Sequence, residues 1–178
     1  MDFIKNICIL VVLAFFLFYP FHMKKNLIKA VCVLESKKVK GVIYLEELSN
    51  GKTKIYGKVS GMKPGEHGIH IHRAGDLTDG CMSACDHYNP FGKEHGGPDD
   101  KERHVGDLGN MIADKNGVAN FEIEDQLVKL RGKYSVIGRS IVVHDDPDDL
   151  GKGGYPDSKT TGHAGGRMVC GVIGYAAK

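Results

Sequence analysis

The amino-acid sequence predicts an all-β fold, a β-sandwich or a β-barrel, built as one domain. From residue 27 onward, short segments rich in β-branched residues follow one another, as strands of such folds do. Turn residues, above all glycine, separate these segments. No apolar period of 3.6 residues extends far enough after residue 26 to indicate a helix. A chain of 178 residues is long enough to bury one core.

The strand candidates divide the chain into a β-rich scaffold and two long polar segments. Asn50 and Gly51 stand between the second and third candidates and are a strong hairpin signal. Residues 63–68 are predicted to form a turn. Residues 73–104 and 145–166 are rich in Gly, Pro and Asp, and loops of this length are typically functional. The predicted strands are residues 27–34, 39–48, 55–61, 117–125, 134–144 and 167–175.

The overall charge argues against nucleic acid as a partner. The formal net charge is only +2, which is too small to draw the chain to a polyanion. Hydrophobic residues make up 42% of the chain, with 24 glycines and no tryptophan. This composition is typical of a loop-rich globular protein.

The first 22 residues form a hydrophobic leader, and residues 27–178 form the predicted domain. The apolar run from Ile7 to Tyr19 is shorter than the ~20 residues of a spanning helix and resembles the core of a secretory signal. Three hypotheses stay open for the leader: a signal peptide, a membrane anchor, or an untranslated extension upstream of a start at Met23. We expect a cytoplasmic protein if translation starts at Met23, and a secreted or membrane-anchored one if residues 1–22 are made.

A pair of histidines one residue apart stands in an apolar run at residues 68–76, GIHIHRAGD. Alternate side chains of a strand share a face, so a strand here aims His70 and His72 in the same direction. A lone histidine is usually a surface residue or a satisfied core group. Several histidines beside glycines, acids and a strand end instead indicate a metal site.

Eight histidines lie between residues 67 and 163, and their order suggests two groups. Three imidazole nitrogens suit copper, whereas two nitrogens with a carboxylate suit zinc. His87 lies between the groups and could serve either, or bridge two metals through its two ring nitrogens. The spacing predicts a metal site and leaves open whether it holds one metal or two. The strand candidates are His70, His72 and His144, and those on or near the following loop are His95, His104 and Asp107.

Four longer motifs resemble the copper/zinc superoxide dismutase family. They are GIHIHRAGD (68–76), HYNPFGKEHGGPDDKERHVGDLGN (87–110), GRSIVVHDDPDDLGKGG (138–154) and GHAGGRMVCGVIG (162–174). The resemblance covers about residues 28–178. It implies an eight-stranded Greek-key β-barrel, an immunoglobulin-like sandwich, with two long functional loops.

The resemblance also implies a role for each candidate. One copper ion and one zinc ion per subunit are expected, with His87 shared between them. His87 and Arg167 are the expected catalytic residues: His87 passes a proton to the peroxide, and Arg167 attracts and orients the superoxide anion. Asp148 is expected to tie His70 to His95. The implied copper ligands are His70, His72, His87 and His144, and the implied zinc ligands are His87, His95, His104 and Asp107.

The cysteines carry one implied bridge and one departure. The resemblance pairs Cys81 with Cys170 in a disulfide, and Cys32 in an apolar strand is predicted to be a buried thiol. Cys85 stands where the family usually has Gly. Two interpretations stay open for it: a tolerated loop substitution, or a second thiol that exchanges with the bridge.

Two hypotheses for function follow. The first is an active dismutase that converts two superoxide anions and two protons to dioxygen and hydrogen peroxide. The second is a non-enzymatic relative that sequesters copper or zinc, or delivers copper. A homodimer and a copper chaperone are expected partners. Ala74 weakens the expectation of a dimer, because the family usually places an interfacial aromatic near this position, and such aromatics often dominate interfaces.

Overall fold

The computed structural model describes residues 27–177, so the predicted leader and its three alternatives lie outside the described residues. Nine strands and one short helix make up the regular structure of this part. The strands are β1 (Lys29–Glu35), β2 (Lys40–Glu47), β3 (Thr53–Ser60), β4 (Gly65–His72), β5 (Thr78–Cys81), β6 (Asp107–Ala113), β7 (Val118–Asp125), β8 (Ser140–His144) and β9 (Arg167–Tyr175), and the helix is α1 (Ser158–Thr161).

Eight of the strands form one antiparallel sheet that nearly closes into a barrel. Their order is β6-β4-β8-β9-β1-β2-β3-β7. The outermost strands β6 and β7 also pack against each other, which brings the two ends of the sheet together. The chain crosses over from β3 to β4 and from β7 to β8, as in a Greek key. The predicted all-β barrel is therefore confirmed.

Most predicted strands are present, and the differences have local causes. The hairpin at Asn50 and Gly51 joins β2 to β3, and Gly51 has a φ of 84°, which suits glycine. The predicted strand 134–144 is wrong in its first half, because the chain turns at Gly138, whose φ is 80°. The predicted turn at 63–68 is too long, since β4 begins at Gly65. The sequence analysis missed β5, which lies within the first long loop, and β6, which follows it.

Strand β4 is buried on both faces, and this positions the candidate site. Ile69 and Ile71 point into the apolar core with no exposed surface. Burying side chains of this size stabilises the fold by about 2 kcal/mol each. His70 and His72 face the other way and are also buried, at 0% and 1% exposure, because the long loops cover the outside of the barrel here.

The long loops contain little regular structure. The second holds α1, a single turn that ends at Gly162 with a left-handed φ of 66°. Among residues 27–177, no helix has the length and apolar character needed to cross a membrane.

Candidate metal centre

Four histidines converge on the outer face of β4 and form the first group of the site. His70 and His72 lie on β4, and His144 lies at the end of the adjacent strand β8. His87 joins them from the first long loop through a backbone bridge to His72. One nitrogen from each of the four rings lies within 4.8 Å of the others.

A second group lies directly beside the first and shares His87 with it. Its members are His87, His95, His104 and Asp107, again with one donor atom each within 4.8 Å of the others. Asp107 is the first residue of β6, and the other three come from the long loop before it. The structure therefore brings together all seven residues that the sequence suggested as ligands.

The donor atoms of the second group are spaced like the ligands of one small cation. Nδ1 atoms of three rings approach Asp107 Oδ1, at 2.9 Å for His87, 3.0 Å for His95 and 3.1 Å for His104. Ligand atoms of tetrahedral zinc lie roughly 3.3 Å apart, as follows from bonds of about 2.0 Å. The other carboxylate oxygen of Asp107 accepts hydrogen bonds from the backbone N–H groups of His104 and Gly96. These bonds fix the carboxylate toward the three rings.

Buried nitrogens without partners show that both groups fit a metal. Among the described residues, the buried side-chain atoms with no hydrogen bond are His70 Nδ1, His72 Nε2, His95 Nδ1 and His144 Nε2. A buried polar atom without a partner costs about 1–3 kcal/mol. Three of these atoms belong to the first group, and the fourth, His95 Nδ1, lies 3.0 Å from Asp107 Oδ1 in the second. His87 directs Nδ1 at Asp107, which leaves its Nε2 for the first group. Three to four imidazole nitrogens suit copper, and the nitrogen-rich set with one carboxylate suits zinc.

Asp148 is within hydrogen-bond distance of one histidine of each group. Its Oδ2 lies 2.9 Å from His70 Nε2, and its Oδ1 lies 2.8 Å from His95 Nε2. All three side chains have no exposed surface. By accepting a hydrogen bond from each Nε2–H, the carboxylate leaves each Nδ1 to bind a metal, and such bonds hold ring orientation.

Further contacts that sequence reasoning missed orient the rings. The carbonyl oxygen of Cys85 lies 2.6 Å from His72 Nδ1, which directs Nε2 of that ring toward the first group. Gly162 packs against Asp148 and His95 so closely that a Cβ there would lie 2.0 Å from Asp148 Oδ1. Gly162 is the first residue of the motif at 162–174, but a glycine directly after a polar turn indicates a helix end and no role at a site.

Burial keeps the first group in the neutral form that a metal needs. Burial, followed by the nearby His87, lowers the pKa of His72 to about 2. The same two causes lower the pKa of His144 to about 4. Burial also holds the pKa of His70 well below its ordinary value. These rings are therefore unprotonated at neutral pH.

In the second group, interactions between carboxylates and histidines outweigh the effect of burial on the pKa values. Burial disfavours the charged form of His95, but hydrogen bonds and charge interactions with Asp107 and Asp148 outweigh it and raise the His95 pKa to about 9. Burial likewise opposes ionisation of Asp107, yet hydrogen bonds from three histidines hold its pKa far below the ordinary value. The two carboxylates therefore favour a positive charge in this pocket.

A cavity of 830 Å³ leads from the surface to the first group. Three of the four histidines of that group line it, and so does Arg167. The Arg167 guanidinium donates through Nη1 to the carbonyl oxygens of Cys81 and Met82, at 2.7 and 3.3 Å. The cavity therefore joins a fixed cation to the histidines.

A disulfide holds the loop that fixes this arginine. Cys81 and Cys170 are bonded, with their Cα atoms 5.6 Å apart. Cys32 is a buried free thiol, and burial raises its pKa to about 12. Cys85 is a half-buried free thiol with a left-handed φ of 64°. Neither interpretation of Cys85 is tested by this arrangement.

Comparisons with known proteins agree with this geometry. The family model for copper/zinc superoxide dismutase (SODC) matches residues 39–173. A Cu-Zn superoxide dismutase of Paramecium bursaria Chlorella virus 1 is 53% identical over 176 residues, which cover 94% of this chain and 93% of the relative. A solved structure, the clock protein EA4, superposes with a TM-score of 0.83 at 42% identity, covering 87% of this chain and 99% of the other.

Proposed function

The chain belongs to the copper/zinc superoxide dismutase family, and we propose that its two joined pockets act as one dismutation site. The protein is an oxidoreductase that converts two superoxide anions and two protons to dioxygen and hydrogen peroxide. The observation that carries the assignment of residues is the set of buried ring nitrogens without a hydrogen bond in the first group, next to a second group that shares His87 with it.

When bound, copper supplies one-electron redox chemistry and zinc a fixed positive charge. His70, His72, His87 and His144 would hold copper, and His87, His95, His104 and Asp107 would hold zinc. His87 is the residue placed to move a proton, because its Nδ1 is engaged by the second group while its Nε2 faces the first. A proton held at Nε2 lies beside the end of the cavity where substrate arrives. His87 thereby couples the two pockets.

Arg167 binds and orients the substrate in this proposal. Superoxide is a small anion, and a fixed cation inside a narrow cavity raises its local concentration and its association rate. The carbonyl groups of Cys81 and Met82 hold the guanidinium in place, so little ordering is needed when the anion arrives.

The alternative function, a metal-binding protein without catalysis, is favoured by no feature of the site. Both complete ligand groups and Arg167 are present. The deciding experiment loads the purified chain with copper and zinc, measures the metal content, and follows superoxide consumption with peroxide as product. We expect one copper and one zinc per chain and rapid consumption. If the fully loaded protein does not raise the decay rate of superoxide above the spontaneous rate, the proposed function is refuted.

We also propose a homodimer formed through the exposed outer face of β1 and β9. Val33 and Val172 are exposed at 58% and 41%. Cys32 lies opposite Ile173 in the register of the two strands, so Val33 and Val172 lie side by side on the outer face and form one apolar area. We expect sedimentation to give a dimer, Val33→Glu to give a monomer, and Ile112→Glu, an equally exposed site on β6, to leave the dimer intact. A monomeric wild type contradicts the proposal.

A copper chaperone is the other partner we propose. The nitrogens of the first group are buried at the inner end of the cavity, where a protein that presents copper can hand it over without releasing it to solvent. If free copper ions load the zinc-bound protein as fast as protein-delivered copper does, this partner is unnecessary.

A further inference from the structure

Arg73 stands out among the charged residues around the cavity. It directly follows the ligand His72 at the end of β4, is exposed, and lines the same cavity as Arg167. Within residues 27–177, its guanidinium has no hydrogen bond and no ion pair. An exposed cation at the cavity wall without a partner is available to an incoming anion.

The other cations of the cavity are engaged. Lys93 pairs with Glu102 at 2.6 Å, and Lys159 lies 3.7 Å from Glu94. Arg139 is held by two backbone carbonyl oxygens, of Ser135 and of Arg73 itself, and stacks 3.5 Å from the Tyr88 ring. Arg139 therefore fixes the backbone of Arg73 and leaves the Arg73 side chain free.

Most acids of the cavity are paired with other residues, so one carboxylate is left to oppose this cation within the described residues. Three line the cavity, and two of them are engaged: Glu94 with Lys159, and Asp157 with His163 at 2.8 Å. The third, Asp86, has no side-chain partner within the described residues, and its carbonyl oxygen accepts the backbone N–H of Arg73. Asp86 is thus the one free negative charge close to Arg73.

We propose that Arg73 is an outer anion-binding residue, which captures superoxide at the cavity mouth before Arg167 orients it. This rests on the proposed function, because the substrate is the anion that the dismutase consumes. Arg73 touches no reacting atom and acts on the rate of capture. The same field attracts other small oxyanions, such as phosphate, which then compete.

The kinetic test compares charge changes inside the cavity with a charge reversal outside it. A unit charge about 10 Å from an anion in water changes its capture rate roughly twofold at low ionic strength. We expect Arg73→Gln to lower kcat/KM about twofold and Arg73→Glu about fourfold, while Asp86→Asn raises it. Lys37→Glu, an exposed turn residue lining a separate cavity, is the matched control and leaves kcat/KM unchanged. The variants converge at 0.5 M salt, because screening removes the effect at about 10 Å.

A second measurement does not depend on turnover. Phosphate is titrated into the copper- and zinc-loaded protein, reduced so that both ions are diamagnetic, while NMR follows Arg73 Nε. We expect a saturable shift and weaker phosphate binding in Arg73→Gln. Equal kcat/KM for Arg73→Glu and Lys37→Glu, or a shift that never saturates, overturns the proposal. If instead the wild type consumes no superoxide, the proposed function fails, and the phosphate titration still decides whether Arg73 binds anions.

Discussion

Removing the carboxylate of Asp148 is expected to weaken both metal pockets together. In Asp148→Ala, the Nε2 atoms of His70 and His95 lose the acceptors that lie 2.9 and 2.8 Å away. Both rings are fully buried, so water replaces the carboxylate poorly. Each ring is then free to turn, or to place its proton on the Nδ1 atom that a metal needs.

The size of the effect follows from the number of lost bonds. Loss of one such supporting bond typically lowers metal affinity 10–100-fold, or about 1.4–2.7 kcal/mol. Because Asp148 supports one ring of each group, we expect a loss of this size for zinc and for copper alike. Asp148→Asn retains one acceptor oxygen, so its amide can satisfy one ring while presenting an N–H to the other. We expect Asp148→Asn to impair one pocket more than the other.

Competition against chelators of known affinity measures both dissociation constants. Asp146→Ala removes an exposed carboxylate from the same loop and is the matched control. Circular dichroism of each metal-free variant shows whether the barrel is retained. If folded Asp148→Ala binds zinc and copper as tightly as the wild type, the argument that this carboxylate orients the two rings is refuted.

Three further predictions concern the cavity, the rings and the bridge. Arg167→Ile is expected to lower kcat/KM on the order of tenfold with unchanged metal content, and full activity contradicts its proposed role. In the metal-free protein, His72 and His144 stay neutral when folded but protonate near pH 6.5 when unfolded. Urea denaturation should therefore show stability falling below pH 6.5 by up to about 1.4 kcal/mol per pH unit for each ring, and equal stability at pH 7 and 5 excludes this. Replacing Cys81 and Cys170, 89 residues apart, with Ser should lower the free energy of unfolding by about 4 kcal/mol, whereas a difference below 1 kcal/mol contradicts this.

The sequence determined the scaffold wherever a local pattern is strong. Alternation and β-branched residues located β1, β2, β3, β7 and β9, because these strands bury one face and expose the other. The same signal failed for β6, which is buried along most of its length and so lacks alternation. It extended β8 too far toward its N-terminus, where a glycine with positive φ turns the chain.

For the site, the sequence supplied the ligand candidates, and the motifs supplied their division between two metals. Spacing alone could not fix that division, because His87 lies between the groups in the chain. Only folding shows that its Nδ1 meets Asp107 and leaves Nε2 for the other pocket.

What the tertiary structure alone decided is which polar atoms keep a partner. The carbonyl oxygen of Cys85 holds the His72 ring, and the missing side chain of Gly162 makes room for Asp148. Within the described residues the Arg73 guanidinium has no partner, whereas that of Arg139 donates to a backbone carbonyl oxygen. Those outcomes depend on distances between segments far apart in the chain. A sequence records the chemical type of each group, whereas burial and pairing, which set its pKa and its availability, arise only when the barrel and its loops close around it.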